Sequence, residues 1–208
     1  MIRETFPVGQ LSCNCTILGD EASHEAIVVD PGYDLPRILA LLTKHSLTVE
    51  KIVVTHAHID HIAGAQTLKE ITGAPIYYSQ KDLPLVAMMD VQATWLALPT
   101  PTVLPPDHSP NDDEVVEVQG IAAHVICTPG HTEGSMCLYL PAEHLLLAGD
   151  TLFAGSVGRT DLPGGSSTKL ISSIRERLLP LPDATLVIPG HGPTTTIATE
   201  RNHNPFLL

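Results

Sequence analysis

The spacing of apolar and polar residues along the chain predicts many short strands and a few helices. Apolar and β-branched runs of about four to eight residues, bounded by Gly, Pro, Asn or Asp, are typical of strands. Such runs occupy residues 13–18, 26–30, 51–55, 75–79, 114–118, 124–127, 136–140, 145–148 and 185–188. Apolar residues recur at helical spacing in residues 35–44, 62–72 and 167–179. We therefore expect a mixed, layered α/β fold in which strands dominate.

Residues 99–113 interrupt this pattern. They contain five prolines, at positions 99, 101, 105, 106 and 110. Because proline lacks an amide hydrogen and fixes its backbone angle, the segment predicts a long surface loop or a linker between two halves of the chain. A chain of 208 residues fits one domain or two small ones. Since the sequence contains no internal repeat, we expect a single domain over residues 1–208.

Composition narrows the range of partners and compartments. The 23 acidic residues outnumber the 11 basic ones, which gives a formal net charge of -12. Nucleic acids and anionic membranes require clustered Lys and Arg, so neither is an expected partner. No apolar run reaches the roughly 18 residues that would cross a bilayer, and Glu4 and Pro7 interrupt the position where a signal peptide would be apolar. We expect a cytoplasmic protein with a small-molecule substrate and four reduced cysteines; its oligomeric state stays open.

A group of metal-binding side chains follows the predicted strand 51–55. His56, His58, Asp60 and His61 fall within six positions of a loop that leads into a predicted helix. Imidazole and carboxylate groups are common metal ligands, and three imidazoles on one loop are unusual in a segment that is merely solvated. The motif therefore predicts a metal site.

Three other predicted strands end at the same kinds of side chain. His131, Asp150 and His191 each follow an apolar strand and a glycine, and the glycine is expected to let the ligand turn inward. Strand exits on one edge of a sheet converge, so these residues are expected to join the loop motif. Five histidines and two aspartates exceed what one tetrahedral zinc with an open water position can use. We therefore expect two divalent ions that share a bridging carboxylate.

Two metal ions in one site indicate hydrolysis. Metal binding lowers the pKa of water to roughly 7, and the ions polarise the attacked carbonyl, so no Ser or Cys nucleophile is needed. A thioester is an easy substrate because its thiol, with a pKa of about 8.5, leaves as a thiolate. An amide would need an acid to protonate the departing amine, and the sequence contains no obvious residue reserved for this role.

These ordered motifs resemble the metallo-β-lactamase fold hydrolases, and within them the short glyoxalase II-like (hydroxyacylglutathione hydrolase) proteins. The resemblance spans nearly the whole chain and implies an αββα sandwich, in which two mixed sheets are flanked by helices. It also implies a ligand set, with His56, His58 and His131 on the first metal, Asp60, His61 and His191 on the second, and Asp150 bridging them. Asp60 would also orient the bridging hydroxide. Zinc is the expected metal, with iron and manganese as alternatives.

The same resemblance favours hydrolysis of a hydroxyacylglutathione such as S-D-lactoylglutathione. Zinc β-lactamases typically have other ligands where His61 and Asp150 stand, and lactonases of this fold usually have a Tyr shortly after the bridging Asp, where this chain has Thr151, Leu152 and Phe153. Residues 155–165 are similar to a loop of both glyoxalase II-like and persulfide dioxygenase proteins. The alternatives are a mononuclear iron persulfide dioxygenase, a broad-specificity hydrolase of another ester or thioester, and a metal-binding scaffold with a vestigial site.

Few cations are available to recognise a substrate. The better-known glyoxalase II enzymes have a basic C-terminal helical segment, whereas this sequence ends at Leu208. Arg159 and Lys169, which lie near the metal motifs, are the candidate substrate contacts, although Arg159 could instead pair with Asp161. The hydrophobic residues Met88, Met89 and Trp95 are expected to pack in the core or at a pocket mouth. The remaining six histidines are expected to be surface or core residues.

Overall fold

The fold is built on two mixed β-sheets. In a computed structural model, which describes residues 1–208, the first sheet has the strand order β1-β2-β3-β4-β5. Its strands are β1 (Ile2–Val8), β2 (Cys13–Gly19), β3 (Glu25–Val29), β4 (Thr48–Val53) and β5 (Ile76–Tyr77). The first three strands pair antiparallel, whereas β4 pairs parallel with both β3 and β5.

The second sheet has the order β13-β12-β9-β8-β7-β6. Its strands are β6 (Val115–Val118), β7 (Ile121–Cys127), β8 (Met136–Leu140), β9 (Leu145–Gly149), β12 (Leu186–Pro189) and β13 (Thr195–Thr196). All neighbours pair antiparallel except β9 and β12, which are parallel. A separate hairpin is formed by β10 (Leu152–Phe153) and β11 (Ser156–Val157).

Helices cover the outer face of each sheet. They are α1 (Leu35–Lys44), α2 (Ile59–Ile62), α3 (Ala65–Thr72), α4 (Leu83–Val86), α5 (Met89–Leu96), α6 (Ser167–Ser173) and α7 (Ile197–His203). Neighbouring residues of one strand are buried in different layers: Ile17 packs with the helices outside the first sheet, and Leu18 packs between the sheets. The outer face of the second sheet packs against Leu170 of α6 and Ile197 of α7. This arrangement is the predicted αββα sandwich, and both faces of each sheet are covered.

The first strand of the protein is absent from the sequence prediction. β1 spans Ile2–Val8 and includes Glu4 and Pro7, which obscure its alternating pattern. Proline lacks the amide hydrogen that a central strand needs, but an edge strand tolerates it. β1 lies at the edge of its sheet and pairs only with β2, so Pro7 can be accommodated there.

Two predicted helices are interrupted, and others are absent from the prediction. The helix expected at residues 62–72 is divided into α2 and α3, and the one expected at 167–179 changes after Ser173 into a π-helical turn, Ile174–Leu178. Helices α4, α5 and α7 and a 3₁₀ turn at Gln80–Asp82 have no counterpart in the prediction. Short helices lack a long apolar stripe, so their hydrophobic periodicity in the sequence is weak. Such helices are stabilised mainly by tertiary packing.

The proline-rich segment joins the two halves of the sandwich. Residues 99–113 contain no helix or named strand, and they connect α5 of the first half to β6 of the second. The segment is held against β5, since Asp107 accepts a hydrogen bond from the Ile76 amide at 2.8 Å and Leu104 accepts one from the Tyr78 hydroxyl at 2.7 Å. All four cysteines are unpaired, as expected. None of the helices combines the length and apolar character that a membrane span requires.

Candidate metal centre

The seven predicted ligands come from four strand exits that meet at one rim. His56 and His58 lie between β4 and α2, and Asp60 and His61 lie in α2 itself. His131, Asp150 and His191 follow β7, β9 and β12. β7, β9 and β12 run in the same direction within their sheet, because each of β7 and β9 is antiparallel to β8 and β12 is parallel to β9. Their carboxyl ends therefore lie on one edge, where the β4 loop of the other sheet joins them.

Three imidazoles form the first group of donor atoms. His56 Nε2 lies 3.0 Å from His58 Nδ1, and His131 Nε2 lies 3.2 Å and 2.9 Å from these two atoms. Two ligand nitrogens on a tetrahedral zinc, each about 2.0–2.1 Å from the ion, would be roughly 3.3 Å apart. The three nitrogens thus have the separation that a shared metal ion requires.

A second group lies beside the first. His191 Nε2 is 3.1 Å from Asp60 Oδ2 and 3.3 Å from His61 Nε2, and the latter two atoms are 3.7 Å apart. The groups are adjacent, since the ring centres of His56 and His61 are 4.1 Å apart. The chain therefore presents two neighbouring sets of three ligand atoms.

Asp150 lies between the two groups. Its Oδ2 atom is 3.6 Å from His131 Nε2 and 3.7 Å from His191 Nε2, and its Oδ1 atom is 3.5 Å from His61 Nε2. Oδ1 is buried and has no hydrogen-bond partner. A buried carboxylate oxygen without a partner is costly, and a metal ion would satisfy it. The residues present therefore fit a pair of divalent ions.

The protonation states of His56, His58 and the two carboxylates fit metal binding, whereas nearby acidic groups outweigh burial and raise the pKa of His61 and His191, so a bound ion would displace a proton from each. Burial lowers the pKa of His56 well below its usual value, and burial together with the nearby His131 lowers the pKa of His58 to about 3. Burial alone would raise the pKa of Asp60 and Asp150, but the charge of His61 and the other imidazoles outweighs it, so the pKa of both carboxyls is lowered. Neutral imidazoles and ionised carboxylates are the forms that bind metals.

Each histidine that directs Nε2 at the centre has its other ring nitrogen fixed. His56 Nδ1 lies 3.1 Å from Thr55 Oγ1, and His61 Nδ1 lies 3.0 Å from Asp30 Oδ2. The partners of His131 Nδ1 and His191 Nδ1 are the backbone carbonyl oxygens of Arg159 at 2.8 Å and Leu11 at 2.9 Å. Such partners fix the orientation of the ring and its tautomer before any metal binds.

Asp30 and Cys13 extend this support beneath His61. Asp30 also accepts hydrogen bonds from the amide and hydroxyl of Thr55, at 2.7 Å and 2.8 Å, and Cys13 Sγ lies 3.5 Å from His61 Nδ1. Burial raises the pKa of the Cys13 thiol to about 12, so it stays protonated at neutral pH. Asp30 is the last residue of a predicted strand, and the candidate ligands likewise stand just after predicted strands. This position at a strand end could have identified Asp30 from the sequence.

Asp82 joins the loop of His56 to the loop of His131. Its carboxylate accepts hydrogen bonds from the Ala57 amide at 3.0 Å, the Thr132 hydroxyl at 2.9 Å and the Gly134 amide at 2.7 Å. Asp82 is buried, and burial raises its pKa. No motif in the sequence indicates this role, because the three donors come from two loops that are distant in the chain.

Position 190 requires glycine because the backbone there lies very close to the candidate ligands. A side-chain carbon at this position would collide with Asp150 Oδ1 and would lie 2.8 Å from His61 Cε1. The glycine before His191 therefore leaves room for the ligands, whereas the glycines before His131 and Asp150 have positive φ angles, of 145° and 47°.

A cleft of about 480 Å³ lies over the centre. Apart from the histidine and aspartate side chains of the centre, its lining residues are Leu11, Ile59, Gln92, Trp95, Leu96, Arg159 and Leu162. Of the two predicted substrate contacts, Arg159 lines the cleft and Lys169 does not. Lys169 instead binds Glu133 at 2.6 Å, and Arg159 binds Asp161. Trp95 is at the pocket mouth, whereas Met89 is buried in the core.

Helix α5 reaches the centre through a buried amide side chain that the sequence analysis did not single out. Gln92 accepts a hydrogen bond from the Ile59 amide and donates one to the Leu85 carbonyl, both at 3.0 Å. It thus ties the helix that carries Trp95 to the loop that carries Asp60. The six remaining histidines take no part in the groups of potential metal ligands.

Similarity to known proteins agrees with this geometry. Residues 8–191 match the family model of the metallo-beta-lactamase superfamily. An uncharacterised protein of Aquifex aeolicus is 42% identical, covering 99% of this chain and 97% of its own length. Hydroxyacylglutathione hydrolase GloC of Haemophilus influenzae is 36% identical, covering 98% of this chain and 97% of its own length.

Solved structures show the same fold. The BLEG-1 B3 metallo-beta-lactamase superposes with a TM-score of 0.92 at 36% identity, covering 99% of both chains. TTHA1623, in a di-iron-bound form, has a TM-score of 0.87 at 35% identity and covers 100% of both chains. ETHE1 from Myxococcus xanthus has a TM-score of 0.83 at 30% identity, covering 99% of this chain and 84% of its own. With its two covered sheets and its matching motifs, the chain belongs to the metallo-beta-lactamase superfamily.

Proposed function

We propose that the protein is a dinuclear metal-dependent hydrolase of thioesters. The observation that carries this proposal is the pair of adjacent three-atom groups with the partnerless Oδ1 of Asp150 between them. In this assignment His56, His58 and His131 would hold the first ion, Asp60, His61 and His191 would hold the second, and Asp150 would be shared by both. Two bound divalent ions would supply an activated water and polarise the attacked carbonyl.

Other residues of the chain orient the attacking water, position the metal ligands and contact the substrate in the proposed reaction. Asp60 lines the cleft and is ionised, so we assign it the orientation of the attacking water in addition to metal binding. Asp30 and Thr55 hold His61 and His56 in the orientation that binding requires. The apolar cleft wall binds the substrate and limits access of bulk water to the reacting carbonyl.

The cleft favours a thioester over an amide. Every carboxylate and imidazole that lines the cleft belongs to one of the two metal-binding groups or to Asp150 between them, and the other polar lining residues are Gln92 and Arg159. Neither of these two side chains is an acid that could protonate a departing amine at neutral pH. A thiol with a pKa of about 8.5 leaves as a thiolate and needs no such acid.

Comparison with relatives supports this choice and suggests the first substrate. The similarity to hydroxyacylglutathione hydrolase GloC makes S-D-lactoylglutathione the expected substrate. We propose zinc as the resident metal, and the likeness to a di-iron-bound structure makes iron the principal alternative. The substrate partner is a small acyl thioester, and we propose no nucleic-acid or membrane partner.

A persulfide dioxygenase with a single iron ion is the second candidate function, and the likeness to ETHE1 is compatible with it. Such an enzyme would use a facial arrangement of two histidines and one aspartate. The present centre supplies a second complete group, Asp60, His61 and His191. This extra group favours the dinuclear hydrolase.

The decisive experiment measures the loss of thioester absorbance from S-D-lactoylglutathione with metal-analysed protein. We expect turnover by the native protein and a fall of about 100-fold or more in kcat for Asp60→Asn, because the variant loses a ligand and the group that orients water. Asp183→Asn is the matched control. It removes an exposed carboxylate that is not among the candidate metal ligands, and it should keep full activity.

The other outcomes are equally informative. Oxygen uptake with a persulfide by protein holding about one iron per chain would replace the proposal with the dioxygenase. A β-lactam assay serves as a further control because of the likeness to BLEG-1. Hydrolysis of a β-lactam without hydrolysis of any thioester would refute the thioester assignment.

A further inference from the structure

The rim of the cleft carries an exposed ion pair. Arg159 donates hydrogen bonds from Nε and Nη2 to the two carboxylate oxygens of Asp161, at 2.8 Å and 2.7 Å. The two side chains are 60% and 68% exposed. Arg159 is the sole lysine or arginine among the residues that line the cleft. The one cation that could bind a substrate carboxylate is therefore already paired with a carboxylate along the Nε and Nη2 edge of its guanidinium group.

Most of the remaining cleft wall is apolar. Leu11, Trp95, Leu96 and Leu162 line it together with Ile59. Leu11 and Trp95 are 45% and 57% exposed, so both present apolar surface to an incoming ligand at the mouth. Beyond the metal centre, the cleft thus offers a ligand apolar contact, the amide side chain of Gln92 and one neutralised cation.

We propose that Asp161 is a specificity-determining residue: by neutralising Arg159 it favours thioesters that carry few charges over thioesters that carry several carboxylates. This proposal rests on the proposed thioester hydrolysis and names the substrate class of the same site. A substrate carboxylate that binds the Nε and Nη2 edge of Arg159 must displace Asp161, which is two residues away in the chain and so competes at a high effective concentration. A carboxylate that approaches Nη1 instead meets a guanidinium whose charge Asp161 already neutralises. The net charge of -12 adds a weaker, longer-range repulsion of anions.

The geometry also shows which residue to change. The backbone carbonyl of Arg159 accepts the hydrogen bond from His131 Nδ1 at 2.8 Å, so a change at Arg159 risks moving a candidate metal ligand. The Asp161 carboxylate has Arg159 as its only side-chain partner in an exposed loop. Asp161→Asn therefore alters the charge at the rim and leaves the centre in place.

The test measures binding with metal-loaded protein and uses Trp95, the single tryptophan of the chain, as a fluorescent reporter in the cleft. The two probes are S-methylglutathione, which has two carboxylates and one ammonium group, and the neutral S-methyl-N-acetylcysteamine. For Asp161→Asn we expect S-methylglutathione to bind roughly two- to five-fold more tightly, with no change for the neutral probe. The gain should shrink in 1 M salt, where the Debye length is about 3 Å.

Two control variants isolate the cause. Asp183→Asn breaks another exposed pair of arginine and aspartate, that of Arg201, and should change neither affinity. Adding Arg159→Gln to Asp161→Asn should abolish the gain, because the freed guanidinium is then absent. The ratio of kcat/KM for S-D-lactoylglutathione to that for S-acetyl-N-acetylcysteamine should rise by the same factor as the affinity ratio.

Two results would overturn the proposal. An unchanged ratio of the two affinities in Asp161→Asn would show that Asp161 does not control charge selection. Weaker binding of S-methylglutathione would show that Asp161 instead attracts the ammonium group of a zwitterionic ligand. Because the affinities are measured without turnover, they decide this point even if native protein hydrolyses no thioester, an outcome that would refute only the proposed function.

Discussion

At the scale of single residues, Asp150 is the side chain with the most unusual environment. It lies among imidazoles, and its buried Oδ1 atom lacks any hydrogen-bond partner. The neighbouring histidines lower its pKa against the effect of burial, so the carboxylate is charged where a charge is expensive. An anion of this kind is a natural ligand for two cations on either side of it.

The prediction at the scale of single residues concerns the retention of metal ions. Asp150→Ala removes the atoms that lie between both groups of ligands, so we expect the content after dialysis to fall from about two ions per chain to fewer than one. The measurement is elemental analysis of dialysed protein, with circular dichroism to check folding. Asp183→Ala, at an exposed carboxylate, should retain the native content. Full occupancy of one ion with undiminished affinity in Asp150→Ala would show that the carboxylate does not bridge.

At the scale of elements, the centre depends on how loops from different strands are joined. The Asp82 carboxylate accepts a hydrogen bond from the Ala57 amide in the loop after β4 and another from the Gly134 amide in the loop after β7. Similarly, Gln92 links helix α5 to the start of α2. These buried polar side chains position the ligand-bearing loops, while the strands supply the rigid frame.

The prediction at the scale of elements concerns the link that Asp82 makes between the two loops. Asp82→Ala leaves the amides of Ala57 and Gly134 buried without an acceptor, and we expect it to lower the free energy of unfolding by about 3 kcal/mol. Urea denaturation of the metal-free protein measures this effect independently of metal binding. Asp183→Asn should change the unfolding free energy by less than about 1 kcal/mol. A similarly small change in Asp82→Ala would mean that the loops are held by other contacts.

At the scale of the whole molecule, the centre connects the two halves of the sandwich. One half supplies His56, His58, Asp60 and His61, and the other supplies the remaining candidate ligands. The shared core between the sheets also joins the halves, with Val53 of β4 packed in the same cluster as Leu147 of β9. Ions bound at the rim would add a second connection between the halves at one edge of the interface.

We therefore predict that metal removal destabilises the entire fold. A ligand that binds only the native state stabilises it by RT ln(1 + [L]/Kd), so removal of the metal ions by EDTA should lower Tm by about 5 to 15 °C. Calorimetry with and without added zinc measures the shift. Asp150→Ala should show a smaller response to EDTA than native protein. Equal Tm values for native protein before and after chelation would indicate that no metal contributes to folding.

The sequence by itself predicted the class of fold and the set of candidate metal ligands. Strand periodicity and the ordered motifs depend on local composition, so they are readable without coordinates. The mixed, layered α/β class, the proline-rich connection and the residues that meet at the rim were predicted from them, and the αββα arrangement was implied by the resemblance of the ordered motifs to the metallo-β-lactamase fold. Edge strand β1 and the short helices were not, because Pro7 is tolerated only at an edge and short helices depend on their packing.

Only the tertiary structure decided which distant groups support the site. The contacts of Asp82 with Thr132 and of His61 with Asp30 join residues far apart in the chain, and no local pattern encodes such contacts. The same holds at the cleft, where the fold places Arg159 in the lining and leaves Lys169 paired with Glu133 outside it. The chemical type of each side chain follows directly from the sequence. The positions of these side chains relative to one another depend on how the two sheets pack against each other.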